Sequence, residues 1–176
     1  MNAPKPYKIL ILCTGNSARS ILGEYLLRAK GRGRFEVFSA GSHPTGKVNP
    51  LAVRVLREKY DLDASEARSK SWDEFKDVKF DCVITVCDNA KEACPVWPGQ
   101  PVLAHWGSPD PAAAQGTEDE KYRFFVNVAS QIAHQLANLI PANAEAPTLG
   151  GLKRPEEFLV HELLRHARPL IPNCDL

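Results

Sequence analysis

The run Tyr7 to Leu12, apolar apart from Lys8, passes directly into Cys13-Thr14-Gly15-Asn16-Ser17-Ala18-Arg19-Ser20, and this junction constrains the fold more than any other feature of the chain. A buried strand has to end at Cys13, because Thr14, Gly15, Asn16 and Ser17 are residues that let a backbone curl tightly. A helix starts near Ser17 or Ala18: from there to Lys30 the residues Ile21, Leu22, Tyr25, Leu26 and Ala29 recur at helical spacing. Strand, turn and helix N-terminus together aim backbone N–H groups and the positive end of a helix dipole at the centre of the curl. A tetrahedral oxyanion fits such a place, with Thr14, Gly15, Asn16, Ser17, Ala18, Arg19 and Ser20 as its cradle.

The residues flanking the turn add chemistry. Cys13 and Arg19 stand six positions apart. Convergent amides, the dipole and the guanidinium all favour a thiolate, so the Cys13 pKa is expected well below the roughly 8.5 of a free cysteine. Arg19 offers a planar fork able to hold two oxygens of one anion. A purely structural role for both would leave a Gly-Asn-Ser turn flanked by a thiol and an arginine for no packing reason.

A second signal lies downstream. Phe80 to Val86 reads as a buried strand ending in Cys87-Asp88-Asn89-Ala90-Lys91-Glu92-Ala93-Cys94-Pro95. The segment between Cys87 and Cys94 can coil as a short helix with the thiols apart. It can also loop out so that they bond, since a disulfide needs α-carbons within about 7 Å. Cys82, inside the strand, reads as packed core, and nothing around Cys174 points to chemistry. The third candidate is Asp110 in His105-Trp106-Gly107-Ser108-Pro109-Asp110-Pro111. Two prolines restrict the backbone around it, and a carboxylic acid aimed at the anion site could give a proton to a leaving oxygen.

Further strands are expected at Phe35 to Phe38, ending at Ser39-Ala40-Gly41, and at Pro101 to Ala104. Further helices are expected from the Asn49-Pro50 cap through Val53, Leu56 and Tyr60, and from Glu118 to Leu139. Trp72, Phe75 and Val78 suggest a shorter packed segment. Strands alternating with helices imply an α/β fold: a four-stranded parallel sheet flanked by helices, with ligands at the carboxyl ends of the strands. Cys13 and Cys87 both fall at such ends. Residues 1–140 form the expected catalytic domain, and 141–176 a linker followed by a C-terminal helical extension with an apolar stripe of Phe158, Leu159, Leu163 and Leu164.

The 176 residues, 44% of them hydrophobic, suffice for one core. A net charge of +1 and no dense basic run give no pull toward nucleic acid. No apolar stretch approaches the roughly 20 residues of a membrane span, and no secretory apolar segment is found. Five cysteines, an odd number, suit a reducing cytoplasm where a disulfide is transient. His161, His166 and Cys174 match no metal-site spacing.

With these residues in hand, the chain closely resembles the thioredoxin-coupled arsenate reductases, which share the fold of the low-molecular-weight protein tyrosine phosphatases. The resemblance runs from about Lys8 to Leu139. It is carried by Cys13 to Ser20, Ser39-Ala40-Gly41, Val48-Asn49-Pro50, Val86-Cys87-Asp88 with Cys94-Pro95, and His105-Trp106-Gly107 with Asp110-Pro111. It implies that Cys13 attacks arsenate held by the loop and Arg19 while Asp110 assists the leaving oxygen. It further implies that Cys87 attacks the adduct to give a Cys13–Cys87 disulfide, and that Cys94 moves this bond outward for reduced thioredoxin. Asn16 and Ser20 would support the loop and the thiolate. No tightly bound cofactor is implied, and a monomer is the default expectation.

Departures from the pattern bear on the alternative, a tyrosine phosphatase, which needs neither Cys87 nor Cys94. Ala18 stands where relatives often carry another cysteine, and Ala112 where phosphatases often carry an aromatic-flanking tyrosine. Some reductases bind potassium through residues matching Asn16, Glu24 and Ser39 plus an aspartate whose place Lys70 takes. The ammonium group would substitute for the cation, so no potassium requirement is expected.

Overall fold

The computed structural model describes residues 5–92 and 94–137. The elements alternate as expected: β1 (Tyr7–Cys13), α1 (Arg19–Gly31), β2 (Phe35–Gly41), α2 (Pro50–Tyr60), β3 (Cys82–Thr85), α3 (Asp88–Glu92), β4 (Val102–His105) and α4 (Glu118–Ala137). Two 3-10 turns, Trp72–Phe75 and Pro111–Ala113, complete the set. The four strands make one parallel sheet in the order β2-β1-β3-β4. The chain reverses its direction of travel across the sheet between β1 and β3, and in open parallel sheets that crevice is where ligands bind.

β1 is central, and Ile9, Leu10, Ile11 and Leu12 are fully buried because the sheet is covered on both faces. α1, α2 and α4 cover one face through Ile21, Leu22, Leu26, Val55, Leu56, Phe125 and Ile132. The other face is thinner, with Leu10, Leu12, Phe80, Val83 and Trp97 at its core. Edge-on aromatic contacts fill it, with Phe38, Phe75 and Trp97 at ring-centroid distances of 5.5–6.2 Å from one another or from Phe80. This contact set accounts for the packed segment expected around Trp72 and Phe75.

Local signals set the helix ends. Asn49 caps α2 by accepting from Leu51 N–H, with Pro50 at the first helical position. Thr117 and Glu120 form a reciprocal capping box at α4, each side chain accepting from the other's backbone N–H.

Three boundaries differ from the sequence reading. β2 continues through Ser39-Ala40-Gly41, because β1 pairs with it along the whole register from Tyr7↔Phe35 to Cys13↔Gly41. β3 is shorter than Phe80 to Val86, since Phe80 turns into the aromatic cluster, although Val86 still donates to the Leu12 carbonyl. In α1, Ala29 is exposed while Gly23, Glu24 and Leu27 are buried: the helix is packed around most of its girth, so a single stripe understates its buried face. The tail 141–176 and its expected helix lie outside the described residues, as do the last two positions expected for α4.

Candidate active site

The loop after β1 is held from outside by its carbonyls. Those of Cys13, Thr14, Gly15 and Ser17 accept from the N–H groups of Ser42, His43, Thr45 and Asn49, and that of Ala18 accepts from Leu22 N–H. In a trans peptide the following N–H points the opposite way, so the amides of residues 14, 15, 16, 18 and 19 turn toward the centre. The geometry agrees at Asn16, whose N–H lies 3.1 Å from Cys13 Sγ. α1 opens after Ala18, which makes no side-chain cap, and of its first-turn N–H groups that of Ser20 turns to Cys13. α1 starts at Arg19, just after the expected Ser17 or Ala18.

Asn16 is the hub of this loop. It is fully buried and adopts a left-handed conformation (φ 44°), which asparagine tolerates better than most residues. Its Nδ2 donates to Ser20 Oγ at 2.8 Å and to Ser39 Oγ at 2.9 Å, and its Oδ1 accepts from Lys70 N–H at 2.7 Å. Because Ser20 Oγ receives from Asn16, its own proton is free for Cys13 Sγ, 2.9 Å away. Close approach of β2 to the loop needs Gly41, where a Cβ would stand 2.4 Å from the Thr14 carbonyl oxygen.

The protonation of Cys13 corrects the sequence reading. Burial, the largest influence, pushes the thiol above its ordinary value, and the neighbouring Cys87 adds to the rise. Hydrogen bonds from the Ser20 hydroxyl, Ser20 N–H and Asn16 N–H pull it down. Arg19, expected to stabilise the thiolate, is directed elsewhere: Nη1 donates to the Ser108 carbonyl at 3.0 Å and Nη2 pairs with Asp110 Oδ2 at 3.1 Å. Asp110 is thus brought to the loop, its other oxygen capping the short turn after it by accepting from Ala112 N–H.

The coil-or-loop question between Cys87 and Cys94 resolves as the short helix α3. Cys87 is buried, and its Sγ lies 3.4 Å from Thr14 Oγ1, which places a second thiol against the Cys13 loop. Cys94 is half-buried beside exposed Pro95 and Val96, packed against the cluster of Leu10, Leu12 and Trp97. Among the described residues, Cys13, Cys82, Cys87 and Cys94 form no disulfide with one another. Cys82 is fully buried in β3 and its thiol is pushed far up by burial, as expected for packed core.

Lys70 enters the cluster of Asn16, Ser39 and Glu24, its backbone N–H on Asn16 and its ammonium beside Glu24 and Ser39. Its Nζ lies 3.4 Å from Glu24 Oε2, 3.5 Å from Ser39 Oγ and 3.1 Å from the Arg68 carbonyl. With that fixed charge in place, the donor set does not fit a metal cation. Among the described residues, no group of three or more His, Cys, Asp or Glu side chains is arranged to hold a metal. No described helix is long and apolar enough to cross a membrane.

Several contributors escaped the sequence reading. Ser108 presents only a carbonyl to Arg19, and Ser69 and Thr45 hold the Gly15 carbonyl through hydroxyls. Such contacts leave no residue-type signal. Asp88, Thr85 and His105 form a hydrogen-bonded chain above the sheet ends, and its only trace in sequence is a His and an Asp each next to a strand end.

Comparison with known proteins agrees with this geometry. The family model for low molecular weight phosphotyrosine protein phosphatase matches residues 8–146. The arsenate reductase of Oceanobacillus iheyensis is 40% identical over 130 residues, covering 73% of this chain and 91% of the relative. The solved structure of an arsenate reductase in the phosphate-binding state superposes with a TM-score of 0.65 at 26% identity, covering 76% of this chain and 95% of that one. A low molecular weight protein tyrosine phosphatase from T. tengcongensis shares the fold with a TM-score of 0.66 at 23% identity, over 76% of this chain and 97% of that one. The chain is a member of the low molecular weight phosphotyrosine protein phosphatase family, closely related to its arsenate reductases.

Proposed function

We propose that the protein reduces arsenate to arsenite through Cys13, Cys87 and Cys94, with reduced thioredoxin restoring the thiols. The observation that carries this reading is the second buried thiol: Cys87 Sγ stands 3.4 Å from the Thr14 hydroxyl of the oxyanion loop. A phosphatase needs no thiol there, whereas reduction of arsenic(V) takes two electrons and a pair of thiols supplies them.

Arsenate enters the loop, its oxygens accepting from the convergent amides and from Arg19 once the guanidinium turns from Asp110. The Cys13 thiolate, stabilised by Ser20 and Asn16, attacks arsenic while Asp110 gives a proton to the departing oxygen, which leaves as water. Cys87 then attacks the Cys13 sulfur. The sulfur–arsenic bond breaks with its electron pair going to arsenic, arsenite departs, and a Cys13–Cys87 disulfide remains. Cys94 attacks Cys87 next, Cys13 leaves as thiolate, and the disulfide moves to the half-buried side of α3, where thioredoxin reaches it. Ala112, next to Asp110-Pro111, offers no aromatic wall for a phosphotyrosine ring, which favours the small inorganic anion. The Lys70 ammonium makes the cycle independent of potassium, and the reducing cytoplasm suits its transient disulfides.

The test is a coupled assay with thioredoxin, thioredoxin reductase and NADPH. Arsenate should consume NADPH, phosphate should compete weakly, and Cys13→Ser and Arg19→Ala should abolish the signal. Full turnover by Cys13→Ser would remove the nucleophile from the account.

A further inference from the structure

The His105-Trp106-Gly107 motif has no part in the chemistry above, yet its imidazole lies between the sheet and the helix that carries the relay. In register, Leu12 pairs with Thr85 and Thr85 with His105, so Thr85 and His105 sit side by side on one face at the carboxyl ends of β3 and β4. His105 Nδ1 lies 2.8 Å from Thr85 Oγ1, and His105 Nε2 lies 3.0 Å from Asp88 Oδ1. A neutral ring with its proton on Nε2 meets both contacts, accepting from the Thr85 hydroxyl and donating to the Asp88 carboxylate. The imidazole is largely buried while Asp88 is exposed, so the bond ties a surface helix to a fixed point. Gly107 leaves room for it: a Cβ there would stand 3.2 Å from His105 Nε2 and 3.6 Å from Asp88 Oδ1.

Asp88 is the first residue of α3 and follows Cys87 directly. A disulfide needs α-carbons within about 7 Å, and α3 takes up five of the six positions between Cys87 and Cys94. Joining the two sulfurs asks this segment to loop out from that coil. We propose that His105 is a positioning residue that pins α3 through Asp88, holding Cys87 at the Cys13 loop in the dithiol state and letting go when the disulfide passes to Cys87–Cys94. The proposal rests on the relay described above. The step it governs is thiol–disulfide exchange without net redox change: Cys94 loses its proton to solvent, its sulfur bonds Cys87, the Cys13–Cys87 bond breaks, and Cys13 departs as thiolate.

A pin present only in the dithiol state stabilises that state, so removing it favours the Cys87–Cys94 disulfide. One hydrogen bond of ordinary net strength corresponds to about a fivefold change in the exchange equilibrium. That change is roughly 20 mV for a two-electron couple. The experiment equilibrates the full chain in dithiothreitol redox buffers without arsenate and measures the Cys87–Cys94 disulfide by alkylation and mass spectrometry. His105→Leu and Asp88→Ala should each shift the equilibrium toward disulfide by about fivefold. The double variant should shift it no further than either single change, because both remove the same bond. Asp88 is exposed, so its variant keeps the test available if His105→Leu does not fold. Unchanged constants, a shift toward dithiol, or fully additive effects overturn the pin. A wild-type chain that forms no Cys87–Cys94 disulfide in any buffer overturns the relay itself, and the pin with it.

Discussion

Arg19 Nη2 and Asp110 Oδ2 stand 3.1 Å apart beside the loop, so the cation proposed to receive the substrate is held by the acid proposed to assist the leaving oxygen. Asp110 is nearly half-exposed, and solvent screening limits such a pair to under about 1 kcal/mol. An incoming oxyanion with two or more contacts to the fork can therefore displace the carboxylate and leave Asp110 beside the reacting oxygen.

Removing that carboxylate separates binding from chemistry. Asp110→Asn should bind phosphate about two- to fivefold more tightly, as competition for Arg19 falls. It should also turn over arsenate about a hundredfold more slowly for lack of the proton donor. Inhibition constants for phosphate and single-turnover rates with arsenate check the two effects. Weaker phosphate binding would show that Asp110 helps to hold the anion.

Ser20 opposes the rise that burial imposes on Cys13. Ser20→Ala should move the thiol's titration to still higher pH. The thiolate is the form present above the pKa, so Cys13 alkylation by iodoacetamide should reach half its limiting rate at a higher pH than in the wild type. Buffers of constant ionic strength suffice, and mass spectrometry assigns the alkylated residue. No movement of the profile would mean that Ser20 positions the loop without tuning the sulfur.

The Lys70–Glu24 pair is buried on both sides, with Arg28 also bonded to Glu24. Lys70→Met leaves Glu24 with the Ser39 hydroxyl and the half-exposed arginine and should destabilise the fold by about 2–3 kcal/mol in urea unfolding. Replacing potassium by sodium at constant ionic strength should leave wild-type activity unchanged. A potassium-dependent KM would contradict the role given to the ammonium.

Gly41 marks where β2 meets the loop. Gly41→Ala should cost stability and arsenate binding together, because its Cβ collides with backbone, the Thr14 carbonyl, which cannot yield as a side chain would. A folded Gly41→Ala variant with unchanged KM would show that the loop is more pliant than its hydrogen bonds suggest.

Most of this site is legible in the chain because its parts are contiguous or sit at strand ends. Cys13 to Ser20 is a single segment, and Cys87 and Asp110 follow strands whose apolar runs are plain. What sequence hides is direction. The spacing has Arg19 favouring the Cys13 thiolate, but in the fold its fork reaches 89 positions along the chain to the Ser108 carbonyl, and burial is the largest influence on the Cys13 thiol. The imidazole of His105 is equally hidden, since its partners Thr85 and Asp88 become neighbours only through the β3–β4 register. Ala29 shows the same limit in a helix: spacing places it on the stripe, but packing around α1 buries Leu27 instead.

The central claim is an ordered relay from Cys13 through Cys87 to Cys94, and the Cys94→Ser variant tests it most directly. Given arsenate, thioredoxin, thioredoxin reductase and NADPH, it should reduce at most about one arsenate per enzyme and then stall, because the thiol that moves the disulfide outward is missing. Mass spectrometry of the alkylated protein should show Cys13 bonded to Cys87. Repeated thioredoxin-dependent turnover by Cys94→Ser, or a stalled enzyme with both thiols free, would contradict the account.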